Sequence, residues 1–188
     1  MRRAASVLAG LVLLMAASIV PVAADTTGGG NQLTSFATAC ADNVCVDTTV
    51  SAFLEQSGGT ACIDFLTYLP EDGTSVSDEF GCAPAPSFKI LSTLAASFGP
   101  TSISLELCDE NTCTASRTVI VSASDTPVGS ITTTSGKSTT KDGTCTSKIR
   151  FTDRSVSVVG TFTVDGTTTA ETGDVSTHTE TSKTTCRS

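Results

Sequence analysis

The stretch Cys40-Ala41-Asp42-Asn43-Val44-Cys45 decides the fold, because it recurs later in the chain as Cys108-Asp109-Glu110-Asn111-Thr112-Cys113. Both copies hold four residues between two cysteines, with an acid at the second of these positions and Asn at the third. Asn tolerates the left-handed backbone conformation that tight hairpin loops require. Each copy is therefore predicted to be a hairpin tip whose flanking cysteines face each other across two antiparallel strands.

Alternation of apolar and polar side chains extends the strand prediction to most of the chain. Ile103, Leu105 and Leu107 are separated by polar residues, and this period of two is typical of half-buried strands. Asp-Gly pairs at 72–73, 142–143 and 165–166 indicate tight turns between such strands. The chain is therefore predicted to be all-β, and only residues 90–97 leave a short helical turn open.

The eight cysteines predict a disulfide framework, because an even number is typical of exported proteins. Proximity along the chain predicts four pairs, although eight cysteines allow about 105 pairings. The predicted pairs are Cys40 with Cys45, Cys62 with Cys82, Cys108 with Cys113, and Cys145 with Cys186. A thiolate metal site is disfavoured, because no His lies near these cysteines.

The N-terminus has the three-part layout of a secretory signal peptide. Met1-Arg2-Arg3 is followed by an uncharged apolar stretch, then by Pro21 and the small residues Val22-Ala23-Ala24, a pattern that signal peptidase reads. Residues 1–24 are predicted to be removed, which gives a secreted chain that begins at Asp25. An uncleaved membrane anchor is the alternative, since the uncharged run is just long enough to span a bilayer.

Charge and composition both change near residue 126. Residues 25–125 carry thirteen acidic and two basic residues, whereas residues 126–188 carry six acidic and seven basic ones and are rich in Ser and Thr. These changes predict an acidic β-sandwich domain over 25–126 and a Ser/Thr-rich antiparallel β-meander of hairpins over 127–188. The turn-forming residues 125–129 mark the junction. The net charge of −8 predicts no binding to nucleic acid.

In size and in the Cys-x4-Cys spacing of residues 40–45, residues 25–125 resemble small secreted immunoglobulin-like proteins of bacteria, including chromophore-carrier apoproteins. This resemblance implies an immunoglobulin-like β-sandwich for the first part of the chain. It implies no functional residue, because no motif of a binding site is shared.

A candidate interaction loop lies between Cys62 and Cys82, where Tyr68, Leu69 and Pro70 precede an Asp-Gly turn. The function expected from the sequence is that of a secreted, non-enzymatic binding or structural module. Its partner would be an extracellular protein or a small ligand, and no cofactor is predicted. The first alternative is a protease inhibitor that uses the 62–82 loop. The second is an atypical hydrolase that uses two of the carboxylates Glu55, Asp64, Asp78 and Glu79.

Two further sites have weaker support in the sequence. The single histidine, His178, lies between two threonines and is expected to face solvent, which disfavours a serine-type triad. Oxygen ligands in Asp42-Asn43 and in Asp109-Glu110-Asn111 leave a calcium site open. Turn formation explains the same residues without a metal.

Overall fold

The computed structural model describes residues 26–55, 58–108 and 112–186, and all of its regular elements are β-strands. The strands are β1 (Thr26–Ala41), β2 (Val44–Glu55), β3 (Gly58–Leu69), β4 (Thr74–Pro84), β5 (Lys89–Ile90), β6 (Ala96–Cys108), β7 (Cys113–Asp142), β8 (Cys145–Val164) and β9 (Thr167–Cys186). The all-β prediction is confirmed. The predicted signal peptide, residues 1–24, lies outside the described residues. Within the described ranges, no helix is long and apolar enough to cross a bilayer.

The strands form one antiparallel sheet in the order β4-β3-β2-β1-β9-β8-β7-β6-β5. Strand β4 also pairs with β6, where Glu79 lies opposite Leu107 and Phe80 opposite Glu106. The sheet therefore closes on itself, and most strands pair with the strand that precedes or follows them in sequence. The predicted immunoglobulin-like sandwich is not confirmed, because all strands belong to this single sheet rather than to two packed sheets.

Tight turns join the strands at the predicted positions that the structure describes, whereas the turn predicted at residues 109–111 lies outside the described residues. Asp42 and Asn43 have φ angles of 49° and 64°, and the turn they form places Cys40 opposite Cys45. Asp165 and Gly166 have φ angles of 49° and 84°, as a type I′ hairpin turn requires. Residues 91–95 form a turn rather than a helix, closed by a 2.8 Å hydrogen bond from the Leu94 amide to the Leu91 carbonyl.

The apolar core lies on the inward face of the closed sheet. Inward-facing and outward-facing residues alternate along every long strand. The core contains residues from both predicted parts of the chain. Its largest buried apolar side chains include Leu33, Val50, Ile63, Phe98, Ile103, Leu105, Val119, Val121, Val158, Phe162 and Val175. The domain boundary near residue 126 stays a prediction, and β7 runs through that position as one continuous strand.

Four disulfides join the same cysteine pairs that proximity in sequence indicated. Cys40–Cys45 and Cys108–Cys113 close hairpin tips, Cys62–Cys82 links β3 to β4, and Cys145–Cys186 links β8 to β9. Two of these sulfurs lie near Glu106. Because both sulfurs are held in a disulfide, this group offers no thiolate to a metal ion.

The last part of β7, the first part of β8 and the last part of β9 extend beyond the closed part of the sheet. We call residues 129–142, 145–155 and 176–186 the ribbon. Two irregular extra residues between Val128 and Thr132 mark its beginning on β7, and the first residues of β1 pair with its β9 edge. Arg154 ties the ribbon to the closed part, since its Nη2 donates to the Ser92 carbonyl at 3.0 Å.

Candidate functional site

The predicted interaction loop is part of an ordinary hairpin. Tyr68 and Leu69 end strand β3, and the turn that begins at Pro70 is closed by a 2.9 Å bond from the Gly73 amide to the Leu69 carbonyl. Leu69 is 37% exposed, whereas Tyr68 is half-buried with its hydroxyl 3.5 Å from Asp47 Oδ1. The structure thus places Leu69 and Pro70 at the surface and Tyr68 against the sheet.

The carboxylates considered for hydrolysis do not form one site. Asp64 and Asp78 lie together on the outer side of β3 and β4, and partial burial together with the neighbouring Asp78 raises the pKa of Asp64 to about 6. Glu79 instead forms a 2.9 Å ion pair with Arg117. Hydrogen bonds from Ser116 and Arg117 lower the pKa of Glu79. The side chain of Glu55 lies outside the described residues.

The candidate calcium ligands are only partly described. Asn43 uses its amide nitrogen to donate to Glu71 Oε1 at 2.6 Å, so this side chain braces the neighbouring turn. Residues 109–111, which carry the second candidate set, lie outside the described part of the chain.

His178 pairs with carboxylates on the ribbon. Its Nδ1 is 2.5 Å from Asp153 Oδ1 and its Nε2 is 3.7 Å from Glu180 Oε2, while 42% of the side chain stays exposed. The hydrogen bond to Asp153 is the main reason that the pKa of His178 is raised. Among the hydrogen bonds described for this imidazole, none reaches a serine, so the described geometry does not form a triad.

Two buried acids form a cluster that the sequence did not predict. Asp125 and Glu171 are only 2% and 5% exposed, and the adjacent Ser35 is fully buried. Gly160 on β8 lies opposite both acids in the ladder. A Cβ at this position would lie 2.7 Å from Asp125 Oδ1, so glycine makes room for the carboxyls. The interpretation of Asp125 as a junction turn residue is wrong, because it lies inside β7 and points into the core.

Burial makes Glu171 of this pair hold a proton at neutral pH. Loss of hydration and the nearby Asp125 raise the pKa of Glu171 to about 8, and loss of hydration raises the pKa of Asp125 to about 6. Ser35 Oγ donates to Asp125 Oδ1 at 3.4 Å. Two ionised carboxylates at this distance would repel each other, which favours the protonated form of Glu171. The protonated carboxyl then has an O–H group that can donate a hydrogen bond.

The ribbon segregates its charges by face. Residues opposite each other in a ladder point to the same side of a sheet. Five consecutive rows of one side contain only Lys, Arg, Thr and Ser, and we call this side the basic face. Its six cations are Lys137, Lys141, Lys148, Arg150, Arg154 and Lys183. The acids of the described ribbon, Asp142, Asp153 and Glu180, all lie on the opposite side.

Like charges lie directly opposite each other on the basic face. Lys148 faces Lys183, and Lys137 faces Arg150. Such pairs destabilise a sheet, because their side chains are close and repel each other. Lys residues on an edge strand protect it from aggregation, but this does not explain Lys148 and Arg150 on the central strand β8. Packing of the ribbon therefore does not account for this face.

A depression lies at the end of the basic face, and we call it the tip depression. It encloses about 540 Å³ and is lined by Lys141, Gly143, Thr144, Thr146, Lys148, Lys183 and Thr185. The signal in the sequence is that Lys148 and Arg150 share strand parity, as do Lys137 and Lys141. The basic face itself can be recognised only when the register of β7, β8 and β9 is known.

Comparison with known proteins gives no relative: no family, no curated protein and no solved structure matches this chain.

Proposed function

We propose that this protein is a secreted, non-enzymatic extracellular binding module that engages anionic ligands through the basic face. The observation that carries the proposal is the segregation of six cations and no carboxylate on five rows of the described ribbon. Four disulfides suggest an oxidising, extracellular environment. Secretion through the leader at residues 1–24 is part of the proposal.

The acidic remainder of the chain narrows the ligand class. Because residues 25–125 carry thirteen acidic and two basic residues, a long polyanion that extended over this part would be repelled. The basic face therefore suits an anionic group that contacts the ribbon alone. Nucleic acid is not the proposed ligand for the same reason.

The proposal is tested by binding of the purified, oxidised protein to immobilised anionic glycans and to their neutral counterparts. We expect binding to the anionic members alone, weakening between about 50 and about 300 mM salt as charge screening increases. A Lys137→Gln/Arg150→Gln variant should bind more weakly, because it removes two of the six cations of the basic face. Lys89→Gln is the matched control, since it removes a positive charge outside the ribbon and should bind normally. Equal binding to neutral glycans, or equal loss in the control, would overturn the proposal.

A protease inhibitor that uses the 62–82 loop stays the second candidate, favoured by the exposure of Leu69 at the surface. It predicts that the protein slows a panel of secreted proteases and that Leu69→Ala abolishes this effect. Normal protease activity at saturating protein would remove this candidate.

A further inference from the structure

We propose that the tip depression binds one tetrahedral oxyanion, the sulfate or phosphate group of an ester. The inference rests on the proposed function, because it names the chemical group that the basic face would recognise. Lys141, Lys148 and Lys183 supply the positive charge, and the hydroxyls of Thr146 and Thr185 supply neutral hydrogen-bond donors.

The three lysines reach the depression from three different strands. Lys148 on β8 lies directly opposite Lys183 on β9, which places their Cβ atoms about 5 Å apart. Lys141 on β7 lies opposite Thr146. On β8, Thr146 and Lys148 are successive residues of the basic face. An anion between these ammonium groups is attracted by each of the three positive charges.

The surrounding backbone holds these lysines at a fixed spacing. Asp142 and Cys145 close the hairpin between β7 and β8, and Gly143 takes the φ of 57° that its turn needs. The Cys145–Cys186 disulfide joins β8 to β9 at the same end. A site on linked strands is arranged before the ligand arrives, which lowers the entropy cost of binding.

The kind of donor favours a tetrahedral oxyanion over a carboxylate. A lysine ammonium acts as a compact point charge, whereas the planar arginine fork matches a carboxylate with two parallel bonds. Among the described residues, those that line the depression include three lysines and no arginine. Three ammonium groups at separate corners suit the three outward oxygens of a sulfate or phosphate ester.

The size of the depression favours an ester over a free ion. Its volume of about 540 Å³ is many times the share of about 30 Å³ that a water molecule takes in the liquid. The oxyanion and part of the group that carries it therefore fit together. The hydroxyls of Thr144, Thr146 and Thr185 are suited to hydrogen-bond a polar carrier such as a sugar.

The test is an NMR titration of the oxidised protein that follows the backbone amide signals of the tip. The probes are glucose 6-sulfate and glucose 6-phosphate, with sodium acetate at equal ionic strength as the control. We expect saturable shifts confined to residues 141–148 and 183–186 with at least one ester, and only a weak, linear response to acetate. The two arms identify the source: a phosphate ester binds more tightly at about pH 7.5 than at about pH 5.5, where it loses charge, whereas a sulfate ester is insensitive to this change.

Variants test whether the lysines of the tip depression hold the ester. Lys148→Gln/Lys183→Gln should weaken the ester at least about tenfold, because two charge-assisted contacts are lost. Lys89→Gln should leave the affinity for the ester unchanged. Lys148→Arg should keep part of the affinity, because it keeps the positive charge. Since these lysines are exposed, the variants are expected to fold, and unchanged amide signals of the core would establish this.

Several results would overturn the inference: responses to ester and acetate that are equal, shifts that lie elsewhere, or an affinity that survives Lys148→Gln/Lys183→Gln. The proposed function fails separately, when the protein binds no anionic glycan at all. If the protein binds the glycans but shows no saturable response to an ester at the tip, only the assignment of the tip depression is refuted.

Discussion

Replacing Glu171 by glutamine should make the protein more stable at pH 8 and flatten the dependence of its stability on pH. Glu171 is 5% exposed and lies beside Asp125 in the core. Glutamine has nearly the same shape and stays neutral at every pH. The substitution therefore removes a titration while it keeps the packing of the closed sheet.

The direction in which the stability changes with pH follows from the raised pKa of Glu171. Burial raises the pKa of Glu171 from 4.5 to about 8, so the folded protein keeps a proton that the unfolded chain releases between these values. The stability that this group contributes is fully present below pH 4.5 and is lost as the pH rises to 8. A pKa change of this size corresponds to about 4 kcal/mol between pH 4 and pH 8. Asp125, whose pKa is raised to about 6, adds to the effect in the same direction.

The assay is urea unfolding followed by far-ultraviolet circular dichroism, with disulfides intact, at pH 4, 6 and 8. The wild-type free energy of unfolding should fall as the pH rises, and Glu171→Gln should exceed wild type by several kcal/mol at pH 8. The raised pKa of His178 acts in the same direction, but it is common to both proteins and cancels in the comparison. Glu106→Gln, at an exposed carboxyl, is the control. A wild-type stability that is constant or rises over this range would refute the reasoning.

Three further substitutions test the packing, the longest disulfide and the seam of the sheet. Gly160→Ala should lower the free energy of unfolding by about 2 kcal/mol, because the new Cβ would lie 2.3 Å from a backbone carbonyl oxygen. Gly30→Ala, where nothing lies within 4 Å, should change the urea midpoint little. Serine at both Cys145 and Cys186 should cost about 4 kcal/mol by the loop-entropy estimate, since this bridge spans 41 residues, whereas loss of a hairpin-tip bridge should cost about 2 kcal/mol. Glu79→Gln should cost about 1 kcal/mol at pH 7 through loss of an ion pair. Because the pKa of Glu79 is lowered in the fold, this difference should disappear as the urea midpoints are measured at falling pH.

Local signals in the sequence were sufficient for the strands, the turns and the cysteine pairs. Asp165-Gly166 sets its own turn through two positive φ angles, and the five-residue spacing of Cys40 and Cys45 fits a hairpin tip directly. Closure of the sheet was not predictable in this way. It depends on the pairing of β4 with β6 at residues far apart in sequence, such as Glu79 and Leu107, and the intervening segment carries no signal of that register.

The buried acids show where reasoning from one segment fails. Asp125 continues the inward alternation of Val119, Val121 and Ala123, so its burial could have been read from the pattern. An acid in an apolar row costs free energy unless a partner is present. Its partner Glu171 lies on another strand, and the turn-forming residues around Pro127 indicated a junction instead.

The basic face is the continuation of the inward face of the closed sheet. Along β8 the inward positions Val158 and Val156 are buried, and the next positions of the same parity are Arg154 and, further on, Arg150 and Lys148. The period of two is thus unbroken, while the chemistry changes from apolar to basic where the sheet no longer encloses a core. A slip of one residue would exchange every side chain between the two faces. On β9 such a slip would turn the exposed Asp174 toward the core of the closed part and bring Glu180 to the basic face. The apolar core therefore fixes the register that keeps the cations together, which ties the proposed binding surface to the stability of the fold.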